Sequence, residues 1–171
     1  MAQILPLKSS YLMGRALFLL FSLWLFLTKV EAIDLSATGG WNETVNESDL
    51  ISGAGSNLVD TYESTIDATN ITISNCIGDS DNWRVDIRRV NEGGWQGVLT
   101  FYVKRTSDGT GNGSISGGLS YIEITSTDTE FFPGAGDRSN ITIQYQLTGM
   151  SINASPNHYN TTIIFTVVDI P

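Results

Sequence analysis

The residues that could carry out chemistry are few, and they do not form a recognisable catalytic motif. His158 is the only histidine and Cys76 is the only cysteine, and neither lies in a local nucleophile signature. Carboxylates are numerous, but no spacing marks a pair for glycoside cleavage. The sequence therefore predicts that the protein is not an enzyme.

A calcium loop is the one cofactor site that the sequence suggests. Asp108, Thr110 and Asn112 occupy the first, third and fifth positions of a calcium-binding loop pattern. The twelfth position holds Leu119, where such a loop carries a bidentate glutamate. A glycine-rich hairpin loop is the competing interpretation, and it is favoured over calcium.

Two tryptophans are candidate ligand-binding residues. Trp41 and Trp95 each follow a pair of glycines, and in such a segment an indole ring can be partly exposed. Exposed indole rings are suited to stacking on the faces of sugars. The competing and favoured interpretation is that each ring covers an end of the fold, since tryptophan is largely buried on average.

Acceptor sites for N-linked glycans are the most numerous motif. Seven asparagines begin an Asn-x-Ser/Thr triplet without proline at x, and each marks a surface position in an exported protein. We treat them as candidate glycosylation sites. They are Asn42, Asn46, Asn70, Asn112, Asn140, Asn153 and Asn160.

The first 32 residues predict a cleaved secretory signal peptide. Lys8 and Arg15 precede an apolar stretch over residues 16–28, and Ala32 ends a small-residue cleavage site. The apolar stretch is shorter than the roughly 20 residues needed to span a bilayer, so cleavage is favoured over anchoring. We expect a secreted or cell-surface protein with no membrane contact after cleavage.

The remaining residues, 33–171, predict one acidic domain. They keep 17 of the 18 acidic residues and six of the nine basic ones, and their number suits a single core. An acidic surface without a basic patch repels phosphates, so nucleic acid is excluded as a partner. With one cysteine, no internal disulfide can form. Cys76 is expected to be a buried thiol, with an intermolecular disulfide as the alternative.

Alternating apolar and polar residues predict an all-β fold. No window has a sustained helical period, and turn residues separate the segments at short intervals. The pattern is typical of an antiparallel sandwich or barrel, and it favours a β-sandwich of two packed sheets. We expect about eight strands, at residues 33–36, 69–76, 83–88, 98–104, 119–126, 140–147, around Ile152 and at 159–170.

Two finer expectations concern neighbouring strands. The short connection between residues 83–88 and 98–104 predicts a hairpin, and residues 131–137 are expected to form a turn because they contain Pro133 and Gly134. The β-branched closing segment, residues 159–170, has the pattern of a central strand with one face fully buried.

The closing segment also carries a family resemblance. The run from Tyr159 to Pro171 resembles the end of WxL-type surface domains, with Phe165-Thr166-Val167 at the Trp-x-Leu position. The same ending is similar to those of spore coat U and fimbrial-subunit domains. The resemblance implies an exported domain that is attached to the cell wall in the first family, or an immunoglobulin-like β-sandwich that is assembled from subunits in the others.

These observations together predict an exported, non-catalytic structural or adhesive module of the cell surface or extracellular matrix. The alternative is a carbohydrate-binding, lectin-like module that uses Trp41 or Trp95. The expected partners are a cell-envelope component, a glycan or like subunits.

Overall fold

The structure of the protein, a computed structural model, describes residues 32–92 and 94–171. Residues 32–171 form one compact unit. The predicted signal peptide lies outside the described residues except for Ala32. No helix in the described part of the chain is long and apolar enough to cross a membrane.

The prediction of an all-β fold is confirmed. In residues 32–92 and 94–171 strands alternate with turns, and the one helical element there is a single turn of 3-10 helix at Glu47–Asp49. The same residues form nine strands. They are β1 (Asp34–Gly39), β2 (Thr61–Glu63), β3 (Thr69–Ser74), β4 (Asn82–Asn91), β5 (Thr100–Arg105), β6 (Ile122–Glu123), β7 (Thr129–Ala135), β8 (Arg138–Thr148) and β9 (Thr161–Ile170).

The strands form two antiparallel sheets of unequal size. The larger sheet has the order β1-β3-β8-β5-β6, with β2 paired to the far end of β8 beside β3. The smaller sheet has three strands in the order β7-β4-β9. The two sheets form a β-sandwich, as predicted, while its immunoglobulin-like character stays a prediction.

The core lies between the two sheets because the strands alternate apolar and polar side chains. On β4, Trp83, Val85 and Ile87 are fully buried, and they pack against buried residues of β3 and β8 such as Ile71 and Ile141. The intervening side chains of β4 point to solvent, which confirms the expected faces of this strand.

Trp83 determines the shape of the neighbouring strand. Its Nε1 donates a hydrogen bond of 2.9 Å to the carbonyl oxygen of Gly136. A Cβ atom at Gly134 would lie 2.3 Å from the Trp83 ring, so only glycine leaves room for the indole there. This contact explains why residues 131–137, expected to form a turn, are mostly strand β7. Pro133 is compatible with this assignment because β7 is an edge strand, where a missing N–H is tolerated.

The expected hairpin between β4 and β5 is wrong. β4 pairs with β7 and β9, whereas β5 pairs with β8 and β6 in the other sheet. Two strands with matching apolar faces can lie side by side or face each other across a core, and alternation does not distinguish these cases.

Two other expected strands are shorter or absent. The segment 119–126 contributes only β6, because it passes between the sheets: Ile124 N–H donates to Phe101 of β5, and Thr125 C=O accepts from Arg89 of β4. Ile152 is 55% exposed in a turn closed by Ala154 N–H and the Ser151 carbonyl. Conversely, the three-residue strand β2 was not expected, and its one buried side chain is Tyr62.

The closing strand is an edge strand, which corrects the prediction of a central one. β9 pairs with β4 over ten residues, from Thr161↔Asn91 to Ile170↔Asn82. Of the predicted strands, only the one at residues 83–88 pairs with it. The inward side chains of Ile163, Phe165 and Val167 pack on the core but are only partly buried. Their β-branched and aromatic types fit any half-buried strand, so the pattern could not establish a central position.

We predict that Trp83→Phe destabilises the domain by roughly 2 kcal/mol. The variant leaves a small void and removes the hydrogen-bond donor of the buried Gly136 carbonyl. Urea unfolding measures the change. Tyr102→Phe, on the half-exposed outer face of β5, is the control and should change the free energy of unfolding by less than about 0.5 kcal/mol.

Candidate functional site

A cleft of about 710 Å³ opens at one end of the sandwich. This is the end where β1 and β8 finish and where β3, β5 and β9 begin. Gly39, Thr69, Phe101 and Leu147 line it from the larger sheet, and Phe165 lines it from the smaller one. The volume lies within the range of roughly 300–1,000 Å³ that is usual for small-molecule sites.

Three loops complete the walls of the cleft. The β1–β2 loop contributes Trp41 and Val45, the β4–β5 loop contributes Trp95, and the β8–β9 loop contributes residues 150 and 151 and 154–160. Both tryptophans that the sequence marks as candidate ligand-binding residues therefore line the same cleft, although 54 positions separate them in the sequence.

A row of aromatic rings forms one wall. Trp41 stacks on Phe101 with ring centroids 5.9 Å apart, and Phe101 stacks on Tyr145 at 5.4 Å, with interplanar angles of 21° and 20°. The rings of Trp95 and Phe101 are nearly perpendicular, at 88°, with centroids 6.1 Å apart. Because Phe101 lies between the two tryptophans and contacts both, it sets their separation across the wall.

Hydrogen bonding and charge hold this row in place. The hydroxyl groups of Tyr145 and Thr69 lie 2.9 Å apart in a buried hydrogen bond, and burial raises the pKa of Tyr145. The guanidinium of Arg89 lies 4.7 Å from the Trp95 ring centroid, a cation–π arrangement. Burial lowers the pKa of Arg89, while Glu123 counteracts this shift. The walls are therefore preorganised by contacts that do not use the cleft.

The glycines before the tryptophans have a direct structural role. Gly39 has φ +109°, and a Cβ there would lie 2.3 Å from the Ala68 carbonyl oxygen. Gly94 has φ +87°, and a Cβ there would lie 2.6 Å from Asn157 Nδ2 and 2.8 Å from the His158 carbonyl oxygen. Glycine thus lets the chain turn sharply and pack closely next to each indole ring.

A second apolar cluster supports the loops beneath the cleft. Tyr62, Leu99 and Met150 are buried together, and both tryptophans pack against them. The hydroxyl of Tyr62 is buried without a hydrogen-bond partner among the described residues. Burial raises its pKa, and the carboxylates of Asp49 and Glu43 raise it further. The cluster makes the cleft part of a packed structure.

The rim of the cleft is polar and includes the side chain of His158. Neither lysine nor arginine occurs among its described lining residues, and Glu43 is the one carboxylate there. Within the described residues, the side chains of Asn42, Glu43, His158 and Asn160 make no hydrogen bond to the protein. Amide groups can donate hydrogen bonds to ligand hydroxyl groups and accept hydrogen bonds from them, whereas a carboxylate accepts only. The rim therefore combines neutral amides with one negative charge.

Cys76 and His158 lie apart. Cys76 follows the end of β3, whereas His158 lines the cleft next to Thr69 at the start of β3. Cys76 instead lines a second pocket of about 350 Å³ with Asp79, Asn112 and Asp137. The two residues are thus at opposite ends of the sandwich and do not form a pair.

Two arginines organise the predicted calcium loop. Arg138, only 8% exposed, donates hydrogen bonds of 2.7–3.3 Å to the carbonyl oxygens of Asp108, Gly111 and Gly113. Arg105, 2% exposed, binds the Asp108 carboxylate and donates to the Gly117 carbonyl oxygen. Its side chain holds the pKa of Asp108 below its usual value.

The loop oxygens are therefore engaged by guanidinium groups, which provide positive charge next to the loop carbonyls. Thr110 and Asn112 line the second pocket, and neither Asp108 nor its ion-pair partner Arg105 lines that pocket. No group of three or more His, Cys, Asp or Glu side chains in the described residues is placed to hold a metal ion. Calcium at Asp108, Thr110 and Asn112 stays a prediction, and the geometry supplies an alternative means of ordering this loop.

All seven candidate glycosylation sites point outward. Six of the asparagines are exposed, and Asn70, on the outer face of β3, is half-buried. Asn42 and Asn160 line the cleft, while Asn46 and Asn153 lie on the loops that form it. Asn140 has φ +58° at the irregular end of β8. Their exposure is compatible with modification, and two of the sites border the ligand space directly.

Sequence reasoning missed most of the cleft. Phe101 and Tyr145 lie in predicted strands with alternating patterns and were expected only to be core residues. The β8–β9 loop carries a predicted strand around Ile152, and this prediction gives no signal that the polar side chains of the loop line a cleft. The only local signal for the site was the repeated Gly-Gly-Trp sequence.

Comparison of the chain with family models, curated proteins and solved structures finds no match. The geometry of the fold and of the cleft is therefore the basis for a functional assignment.

We predict that a chelator leaves the melting temperature unchanged while Arg138→Lys lowers it. Lysine cannot reproduce the four hydrogen bonds of the guanidinium group, and a loss of roughly 2 kcal/mol is expected. Differential scanning calorimetry with and without EDTA measures both effects. A fall in melting temperature on chelation, restored by calcium, would show that the loop binds the ion.

We predict that the Cys76 thiol reacts slowly in the folded protein. Burial, followed by the nearby carboxylates of Asp137 and Asp81, raises its pKa from 9.0 to about 12. At pH 8 the thiolate fraction is then roughly a thousandfold below that of an unperturbed thiol. Alkylation followed by mass spectrometry should show slow labelling in buffer and rapid labelling in urea.

The same shift has a consequence for stability. Below about pH 9 the protonated Cys76 thiol makes its full contribution to the free energy of unfolding. This contribution is lost as the pH rises toward 12, because the thiol of the unfolded chain releases its proton at lower pH than the thiol of the folded protein. Cys76→Ser should make stability less sensitive to pH in this window. Equal labelling rates in buffer and in urea would contradict the assignment.

Proposed function

We propose that this domain is a carbohydrate-binding module and that its cleft takes a short stretch of a neutral glycan. The observation that carries the proposal is the meeting of Trp41 and Trp95 on Phe101 in one wall of the cleft. Flat aromatic surfaces are suited to the apolar faces of sugar rings, and the amides and Glu43 on the rim are suited to their hydroxyl groups.

The charge of the site favours a neutral ligand over an acidic one. The described lining contains no lysine or arginine to pair with a carboxylate or sulfate group of a sugar. Residues 33–171 carry 17 acidic and six basic side chains, so the domain as a whole repels anions. An acidic sugar would lose its hydration without gaining an ion pair.

The proposal is one of binding without cleavage. Hydrolysis of a glycosidic bond needs two carboxyl groups about 5–10 Å apart, and Glu43 is the single carboxylate among the described lining residues. His158 is exposed on the rim and has no described partner to orient it as a base.

The proposed setting is the cell surface or the extracellular medium. The signal-peptide pattern of residues 1–32 supports export, and the outward placement of the seven acceptor asparagines is compatible with it. The main prediction from the sequence is a structural or adhesive role. This role would follow if the domain attaches the protein to a surface that carries the glycan. Glycan recognition is the proposal that the cleft supports best.

The proposal is tested by applying the purified domain, residues 33–171, to a glycan array and measuring which glycans it binds. The protein should be made in a host that adds no N-linked glycans, so that Asn42 and Asn160 leave the rim clear. We expect binding to neutral oligosaccharides and weak or no binding to sialylated and sulfated ones. Failure to bind any glycan on an array rich in neutral structures would overturn the proposal.

Variants identify the cleft as the binding site. Trp41→Ala and Trp95→Ala should each weaken binding at least about tenfold, equivalent to roughly 1.4 kcal/mol. Because both rings also support the fold, Glu43→Ala is a second variant. The Glu43 side chain is exposed and makes no hydrogen bond to the described residues, so affinity should fall severalfold with little change in stability. Tyr102→Ala, on the outer face of the larger sheet, is the control and should bind as the native domain does.

A further inference from the structure

Strand β9 presents an unpaired edge of unusual length. Glu92 N–H donates to the Asn160 carbonyl oxygen at 3.0 Å. Because bonded and non-bonded residue pairs alternate along an antiparallel ladder, this bond shows which residues of β9 are hydrogen-bonded to β4. Even-numbered residues of β9 bond to β4, while the N–H and C=O groups of residues 161, 163, 165, 167 and 169 point away from it. Within the described residues, no backbone hydrogen bond uses these groups.

The other sheet edges are short or covered. Residues 114–116 lie along β7, where Ser114 and Ala135 exchange two backbone bonds of 2.8 and 3.2 Å and Ser116 N–H donates to the Pro133 carbonyl oxygen. β6 has two residues, and β1 has six and ends in glycine. Among these edges, β9 is the longest; β1 of the larger sheet lies close to it, but the two strands do not pair and no described loop forms backbone hydrogen bonds with it.

The edge of β9 lacks the features that usually prevent strand addition. Natural edge strands are protected by charges, proline, bulges or covering loops. Residues 161–168 contain no charged residue, proline or glycine, and the ladder to β4 runs over ten residues without a bulge. On the inward face, Ile163, Phe165 and Val167 pack on the core and remain partly buried. A strand added to this edge would cover these side chains further.

We propose that β9 pairs antiparallel with β9 of a second copy of this chain, about a twofold axis at Phe165. In this register Phe165 lies opposite itself, Ile163 opposite Val167 and Thr161 opposite Asp169. Apolar inward residues therefore meet apolar inward residues, and the free N–H and C=O groups form about ten new hydrogen bonds. A shift by one residue would place inward side chains opposite outward ones, so the faces restrict the register.

The charges favour this partner and this direction. Asp169 is the only charged residue of β9, and antiparallel pairing places it opposite Thr161, whereas parallel in-register pairing would stack two carboxylates. On the adjoining outer face, Arg84 pairs with Asp86 at 2.9 Å and Arg88 with Asp128 at 3.4 Å. The face next to the edge is thus locally balanced although the whole domain is acidic.

The assembly joins the smaller sheets of the two copies. The smaller sheet has three strands and the larger has six, so joining two copies gives one continuous six-stranded sheet. The proposal does not depend on glycan binding, because the edge groups belong to the backbone of β9.

Sedimentation analysis of residues 33–171 and of a proline variant tests the pairing. The native domain should be a dimer. Val167→Pro removes an N–H that points away from β4, and the same sheet already accepts Pro133 in an edge strand. We expect this variant to dissociate at least tenfold more readily, while Val167→Thr, which keeps the N–H and the β-branched shape, stays dimeric. A native domain that remains monomeric up to about 1 mM would overturn the proposal.

Spin labels test the direction and register without a disruptive change. Cysteine is introduced at Thr166 or Thr162, both exposed on the outer face, in a Cys76→Ser background. The proposed register places two Thr166 labels roughly 8 Å apart and two Thr162 labels roughly 20 Å apart, from the rise per residue and the strand spacing. Strong dipolar broadening for Thr166 and weak broadening for Thr162 is expected. Equal broadening at both sites, or none at either, would contradict the pairing.

Discussion

The fold depends on the contact between the inward side chains of β4, which include Trp83, and the inner face of the larger sheet. Three consecutive inward side chains of β4 are fully buried, and β4 is also the strand to which both other strands of its sheet are bonded. With one cysteine in the chain, no disulfide supplements this packing. The close fit of Gly134 against the indole and the hydrogen bond to Gly136 then fix where β7 ends and β8 begins. Loss of this contact would separate the layers that form both the cleft and the β9 edge.

Positive charge is scarce in this acidic domain, and three of its arginines hold loops in place. Arg138 and Arg105 bind the carbonyl oxygens of the loop at residues 106–118, in a pattern that a metal ion often supplies in glycine-rich loops. Arg89 lies over Trp95 and orients a side of the cleft. A guanidinium group suits these tasks because it offers five donors in a fixed plane and stays charged when partly buried. In the described residues, guanidinium groups thus bind the carbonyl oxygens of this loop, and calcium at Asp108, Thr110 and Asn112 stays a prediction.

The sequence predicted the parts of the structure that alternation and composition determine. The all-β class and the faces of β3, β4 and β8 follow from side chains that must be buried on one side only. Strand neighbours could not be predicted, because β4 and β5 show equally good apolar faces whether they pair or face each other. The turn expected at Pro133 and Gly134 failed because long-range packing on Trp83 outweighed local turn preference. Of the site, the repeated Gly-Gly-Trp sequence indicated both tryptophans, whereas Phe101, which brings them together, looked like any other core residue.

The edge and the cleft are linked through β9, since Ile163 and Phe165 both line the cleft and belong to the edge strand. In an antiparallel pair the two β9 strands begin at opposite ends of the shared sheet, so the two clefts would open in opposite directions. A dimer of this geometry is bivalent, and its clefts could not both bind closely spaced sites on one flat surface. It would instead connect ligands on two separate surfaces. Such bridging would suit the adhesive role that the sequence predicts, and the β9 edge that it would use is an edge of the three-stranded sheet.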